Sequence, residues 1–523
     1  MREVFSIISN EGVGSFVRRA YRSAKRRCAL RLFCRKNIKI SKKEEDRQRK
    51  TNFNNNILFS IIVPVYNTPV LFLKEMIESC IIQTYSKFEL CIADASDSSR
   101  ADVGKVIKEF AEYDSRIKYI KLKSNGGISY NTNEAIKESS GDYIVMLDHD
   151  DRLHPAALYE CMRVIESRNA DFIYTDELVF EDVSGRIIGI HNKPDFSEIG
   201  LRGNNYICHL SVYSRGLLDK TGMYNSEFDG SQDHDMTLRL TEVAGNIVHI
   251  PKVLYYWRCH GDSVASGIEA KEYAVKAGRN AVAQSLKRRN IAGNVKSIYE
   301  QFPTVYKVDY SIMGTPVIDI AIWGTKKNKI TYAAIMSLTN ITGYPDYNIS
   351  IAGEIRQDDI CRLKDKCNVY EYNNAAEFYN GIVKLKKGKY CVFMDGMCIP
   401  CSENWIQELL GFAQEKGNGA VGMRMLSDNK TIRQCGVVQK NSGALRYIDK
   451  GFNRNYEGSM MTNLYARNMS IPSGDMVMID KESVNTIGGF DFVNKQCIVS
   501  ICLKLTANGY RNVWTPFAEA VKS

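Results

Sequence analysis

Apolar positions along the chain follow two alternating rhythms. The runs Leu58–Val63, Phe88–Ala93, Ile117–Leu122 and Tyr143–Leu147 are short and rich in apolar residues, and they predict buried strands. Between them apolar side chains recur at helical spacing, at Val70, Leu73, Ile77 and Cys80 and again at Val103, Val106, Ile107 and Phe110. Thr68-Pro69 is expected to cap the first of these helices, with proline at its first helical position, and a further helix is expected after Pro155. Strands that alternate with crossover helices predict an α/β domain on a Rossmann-like, mostly parallel sheet.

The pattern returns later in the chain. Gly141-Asp-Tyr-Ile-Val-Met-Leu leads to Asp148, and Gly388-Lys-Tyr-Cys-Val-Phe-Met leads to Asp395. Leu238-Arg-Leu-Thr precedes Pro251 at the same spacing at which Leu503-Lys-Leu-Thr precedes Pro516. Two copies of one domain in tandem are therefore expected, over residues 57–265 and 315–523. A joint at 266–314 contains a predicted helix from Glu269 to Arg289, with Tyr273, Ala274, Ala277, Ala281 and Leu286 on its inner side.

Composition narrows the class. Of 523 residues 44% are apolar and 25% charged, which excludes disordered, collagenous and coiled-coil chains. The most apolar stretch, Leu58 to Tyr66, is far shorter than the about 20 residues of a membrane span, and no secretory leader is expected. Fifteen scattered cysteines fit a reduced, cytoplasmic protein. Residues 1–50 carry 16 Lys or Arg against 5 Asp or Glu, so a basic arm is joined to a nearly neutral body in a chain of net charge +10. A neutral body speaks against nucleic acid as partner. Within the arm, Val13, Phe16, Val17, Ala20, Tyr21, Ala24 and Cys28 mark one face of an amphipathic helix, and residues 13–43 are expected on an anionic membrane surface.

Three strands end on polar residues, at Pro64-Val-Tyr66-Asn67, Asp94-Ala-Ser96-Asp97 and Asp148-His149-Asp150-Asp151, where open α/β sheets bind their ligands. Three carboxylates within four residues repel one another unless they share a cation, and hard divalent ions take such oxygen clusters together with substrate phosphates. A second acidic cluster, Gln232-Asp233-His234-Asp235, opens a predicted helix, and Tyr255-Tyr-Trp257-Arg258-Cys-His260 follows a strand-like run. The repeat tests these clusters internally. Asp150 and Asp151 lie opposite Met397 and Cys398, and Asp233 and Asp235 lie opposite Ile498 and Ser500. Joint loss from one copy favours an active first copy and an inactive second. Lys193 and Asp176-Glu177 are read as a solvated loop in preference to residues that face a donor or acceptor. Cys398-Ile-Pro-Cys401 has no second pair nearby and is not expected to bind zinc.

With these residues in hand, the chain resembles the family-2 glycosyltransferases of GT-A fold over nearly its whole length. FSIIVPVYNTP, NGGIS, LDHDD, KPDF, GSQDHDMTLRL and HIPKVLYYWRCHGDS carry the resemblance in the first copy, and GYRNVWTPFAEA carries it in the second. The resemblance implies that Pro64, Tyr66 and Asp94 bind the base of a nucleotide-diphosphate sugar. It implies that Asp148 and Asp150 hold Mn²⁺ or Mg²⁺ with help from His260, and that Asp233 is the catalytic base. The implied activity is inverting transfer to a hydroxyl of a growing cell-surface glycan, free or lipid-linked, at the inner face of the cytoplasmic membrane. A nucleotidyltransferase of related fold and a non-catalytic glycan-binding scaffold are the alternatives. The second copy is expected to position glycan, to pair in a homo-oligomer or to hold a partner transferase.

Overall fold

A computed structural model describes residues 40–522, except 183, 260–271, 386 and 492–495. The arm helix expected over residues 13–28, and His260, lie outside the described residues. The described chain divides into two compact units, one running to Asp195 and again from Ile207 to Glu272, the other comprising Phe196–Tyr206 and everything from Tyr273 on.

The first unit opens with helix α1 (Lys42–Arg49) and continues through β1 (Phe59–Val65), α2 (Val70–Ile81), β2 (Phe88–Asp94), α3 (Ala101–Tyr113), β3 (Ile117–Lys121), α4 (Ile128–Lys137) and β4 (Tyr143–Met146). There follow β5 (Arg152–Leu153), α5 (Ala157–Arg168), β6 (Phe172–Glu181), β7 (Ile187–His191), β8 (Ser211–Ser214), α6 (Gln232–Val243) and β9 (Ile247–Cys259). The sheet order is β3-β2-β1-β4-β8-β6-β9-β5, with β7 attached to β6. Strands β1 to β4, β6 and β9 share one direction, and β8 runs against them between β4 and β6. Every residue of β1 and β2 is buried, as continuous apolar runs demand of strands covered on both faces. Leu73, Ile77, Val103 and Ile107 pack onto them from α2 and α3. Burial of each such side chain contributes about 1.5–3 kcal/mol.

Two local expectations change. Pro69 occupies the N-cap of α2 rather than its first turn and makes no side-chain cap. Instead the Arg100 guanidinium donates to the Asn67 and Thr68 carbonyls at 3.0 and 2.9 Å and ties the segment to the start of α3. Tyr273, expected on the inner side of the joint helix, is 56% exposed.

The second unit begins with that helix, α7 (Glu272–Arg288), which buries Ala274, Ala277, Ala281 and Leu286, and with the antiparallel ribbon β10 (Gly293–Ser297) and β11 (Tyr306–Tyr310). Its sheet uses β12 (Ile318–Gly324), β13 (Tyr347–Gly353), β14 (Asn368–Val369), β15 (Tyr390–Asp395), β16 (Ile399–Pro400), β17 (Asn418–Leu426), β18 (Ile432–Gln434), β19 (Met476–Asp480) and β20 (Arg511–Val521), with helix α8 (Cys497–Ala507) before the last strand. The order β14-β13-β12-β15-β19-β17-β20-β16, with β18 on β17, reproduces the path and directions of the first unit, and a short extra strand, Arg467–Asn468, pairs with β20. The internal repeat is a repeat of topology. Register sets the correspondence, because Tyr143 pairs with Phe59 and Ser214 while Tyr390 pairs with Ile318 and Asp480.

Candidate active site

The carboxyl ends of β1, β2 and β4 form one rim. Val65 pairs with Asp94, and the Leu147 amide continues the ladder onto Ile62 just before Asp148. Strand β8 runs the other way, so the residues that precede it, Cys208 and His209, arrive at the rim from a distant part of the sequence.

There the structure gathers Asp148, Asp151 and His209, with ligand atoms within 4.8 Å of one another. His209 Nε2 lies 3.3 Å from Asp148 Oδ2, and Nδ1 faces Glu177 Oε2 at 3.5 Å. The His209 ring stacks on Tyr255 at 4.7 Å and 8°. Asp148 is half exposed, whereas Asp151 is buried and accepts hydrogen bonds from the Tyr255 hydroxyl at 2.7 Å and the Arg258 amide at 2.6 Å. Burial, with the Asp150 charge next to it, pushes the Asp151 carboxyl well above the usual carboxylate range. Burial also pushes Asp148 up, but the His209 imidazole more than offsets it and holds that carboxyl below its ordinary value. Asp150 stands outside this trio, with its carboxylate 3.9 Å from His149 Nδ1 and its carbonyl accepting from Arg258 Nε at 2.6 Å.

Behind His209 the expected solvated loop is a buried network. Glu177 is 2% exposed and accepts from Lys193 Nζ at 3.0 Å and from His191 Nδ1 at 2.7 Å. The Lys193 ammonium, also buried, donates to the Ile207 carbonyl at 2.5 Å and to the His209 carbonyl. A buried charge persists only when it is paired and hydrogen-bonded, and here Lys193 is paired with Glu177 and bonded to two carbonyls of the segment that carries His209.

Asp233 lies in the first turn of α6, and the Cys208 thiol donates to its Oδ2 at 3.8 Å. The adjacent residues Cys208 and His209 therefore bring Asp233 and Asp148 to one place. The first turn of α4 is fastened to the approach to α6, because Asp229 accepts from the Ser129 hydroxyl at 2.5 Å. Gly127 allows this with φ +94° where a Cβ would come within 2.6 Å of that carboxylate. At the far side of the rim, Pro64 is buried and Tyr66 is 45% exposed. Asp94 is buried and accepts from the Ser96 amide at 2.8 Å, the Tyr119 hydroxyl at 3.0 Å and Lys121 Nζ at 3.1 Å.

This rim lies in a recognised setting. Residues 60–222 match glycosyl transferase family 2. The matched segment lies in the first half of the chain and holds Asp94, Asp148, Asp151, Glu177 and His209. A 32% identical relative, an uncharacterized protein of Sinorhizobium fredii, aligns over 89% of this chain and 53% of its own length. The O-antigen biosynthesis protein RfbC of Myxococcus xanthus is 29% identical over 88% of this chain and 36% of its own, and the hyaluronan synthase of Pasteurella multocida is 29% identical over 46% and 24%. The chain thus spans about half or less of the length of these relatives. For a family-2 glycosyltransferase a divalent cation is the expected companion. Two carboxylates and an imidazole within reach of one another fit a divalent cation.

The same rim of the second unit is built differently. Asp395 corresponds to Asp148, and counting from the paired strands sets Asp475 opposite His209 and Met425 opposite Glu177. The Lys522 ammonium lies there, donating to Asp475 Oδ1 at 2.7 Å and to the Asp395 carbonyl. Arg433 Nε and Gln434 Nε2 donate to Asp475 Oδ2 at 2.8 and 2.7 Å. Among the described residues no helix is long and apolar enough to cross a membrane.

Proposed function

We propose that the first unit moves a sugar from a nucleotide-diphosphate sugar to a hydroxyl of a growing cell-surface glycan, free or lipid-linked. The observation that carries this reading is that the adjacent residues Cys208 and His209 contact Asp233 and Asp148 respectively, at the end of a segment that matches glycosyl transferase family 2. The relative named for O-antigen biosynthesis supports the glycan as product class.

Pro64, Tyr66 and Asp94 wall the base site, and Asp94 keeps Tyr119 and Lys121 in place there. Asp148 and Asp150 hold the divalent cation at the diphosphate, with His260 as the family's further ligand. When bound, a divalent cation held by these residues would supply neutralisation of charge on the departing diphosphate. The Asp233 carboxylate takes the acceptor's proton while the acceptor oxygen attacks the anomeric carbon from the face opposite the leaving group, so configuration inverts. The basic segment 13–43 rests on the anionic inner face of the cytoplasmic membrane, where each Lys or Arg near the surface contributes about 1 kcal/mol.

The test is a transfer assay on the purified chain across nucleotide sugars with Mn²⁺, read by release of nucleoside diphosphate and by linkage analysis. Release of pyrophosphate from a nucleoside triphosphate, with no sugar transfer, rejects the reading in favour of a nucleotidyltransferase.

A further inference from the structure

His209 has the surroundings of a metal-binding histidine. One ring nitrogen points at a half-exposed carboxylate, Asp148, and the other faces a buried carboxylate, Glu177. Imidazoles that ligate metals characteristically direct their second nitrogen at a carboxylate, which sets the tautomer and the ring plane. Here that partner is itself fixed, by Lys193 and His191. The ring plane is set a second time by stacking on Tyr255.

The second unit supplies an independent observation. Its topology is the same, and a cation sits at the corresponding place. Lys522 Nζ touches Asp475, the counterpart of His209, and the carbonyl of Asp395, the counterpart of Asp148. A positive charge thus occupies this position where the chain can provide one internally. In the first unit Trp257 stands at the position of Lys522, and the nearby ammonium, Lys193, is taken up by Glu177 and the Ile207 and His209 carbonyls.

We propose that His209 Nε2 is a direct ligand of the divalent cation, beside Asp148, and that Glu177 is the positioning residue that aims it. The inference rests on the metal-dependent reading above and adds a ligand from a segment that the strand-end motifs do not contain. Asp151, whose two oxygens accept from Tyr255 and Arg258, lies beside both Asp148 and His209.

The experiment is Mn²⁺ binding to the full chain, followed by pulsed electron paramagnetic resonance for ¹⁴N coupling to the bound ion. Wild type is expected to show imidazole nitrogen coupling that persists in His260→Gln and falls in His209→Gln. The affinity for Mn²⁺ is expected to drop about 10- to 100-fold in His209→Gln and by less in Glu177→Gln. His209→Asp, which installs the residue of the second unit, is expected to regain Mn²⁺ affinity while the nitrogen signal stays reduced. That outcome separates ligation from loss of folding. Wild-type Mn²⁺ without nitrogen coupling, or affinity and coupling unchanged in His209→Gln, overturns the proposal. Sugar transfer that continues at full rate in chelator also overturns it, while leaving the transferase reading intact.

Discussion

The two units share strand order, strand direction and register, yet they treat charge at the same rim in opposite ways. In the first, Asp148, Asp151 and Glu177 lie about His209, and Asp148 opens to solvent. In the second, Asp475 is closed in by Lys522, Arg433 and Gln434. The positions of Asp151 and Glu177 have become Cys398 and Met425, both buried. A scaffold of this kind tolerates either solution because the sheet core supplies its stability. A rim that must receive an external cation has to leave charge uncompensated, whereas a rim released from that duty can neutralise itself. The second unit is the structural control for the first.

The strongest way to break this comparison is at the catalytic carboxylate. Asp233→Asn is expected to lower transfer by about 10²- to 10⁴-fold with donor binding retained, measured by turnover and by donor titration. The same rate for variant and wild type rejects the assignment of Asp233 as base. At the metal rim, Asp148→Ala is expected to abolish Mn²⁺-dependent donor binding, whereas Asp395→Asn leaves it unchanged. Equal losses in calorimetric titrations would mean that the two rims act alike.

In the second unit, Lys522→Met removes one partner of a buried ion pair and is expected to cost about 3–5 kcal/mol, with transfer by the folded protein unaffected. Tryptophan fluorescence in urea reports this unit well, because Trp323, Trp405 and Trp514 all lie in it. The pH dependence has a definite sign. Burial raises the Asp475 carboxyl, but Lys522 and Arg433 more than offset it, so its folded value lies below the ordinary one. Its stabilising contribution is complete above the unfolded carboxyl value, about 3.9, and is lost as pH falls through the folded value. Asp475→Asn should therefore differ most from wild type near neutral pH, and the gap should close in acid. A gap that widens in acid contradicts the sign.

Gly127→Ala is a smaller change, about 1–3 kcal/mol, because it meets both the positive φ and the Asp229 contact. Through the first turn of α4, fastened to the approach to α6, it should also depress transfer. The smallest effect belongs to Tyr273→Ser on α7, which is expected to shift stability by no more than about 0.5 kcal/mol. A larger loss there would show that the exposed tyrosine is covered in solution.

Much of the site was legible residue by residue. Asp148, Asp150 and Asp151 stand at the end of an apolar run, and Asp233 opens a helix whose periodicity is plain. His209, Glu177 and Lys193 were not. His209 precedes a four-residue strand, Glu177 sits inside a buried ten-residue one, and Lys193 reads as loop. One signal was available in the repeat, because register from the paired tyrosines sets His209 against Asp475 and Glu177 against Met425. It required knowing which strands pair. Pro69 and Tyr273 went astray for a simpler reason: spacing places a residue near a helix start or on a face, but does not say which neighbour will cover it.

By itself the sequence determined the α/β class, the doubling of the domain and the carboxylates at its first rim, because apolar period and strand-end chemistry are local properties of the chain. Only the tertiary structure decided that an antiparallel strand carries a histidine to those carboxylates, and that Lys522, after the last strand of the second unit, fills the matching gap there. Both depend on pairings between distant segments, and the free energy of burying charge is set by what those pairings bring alongside it.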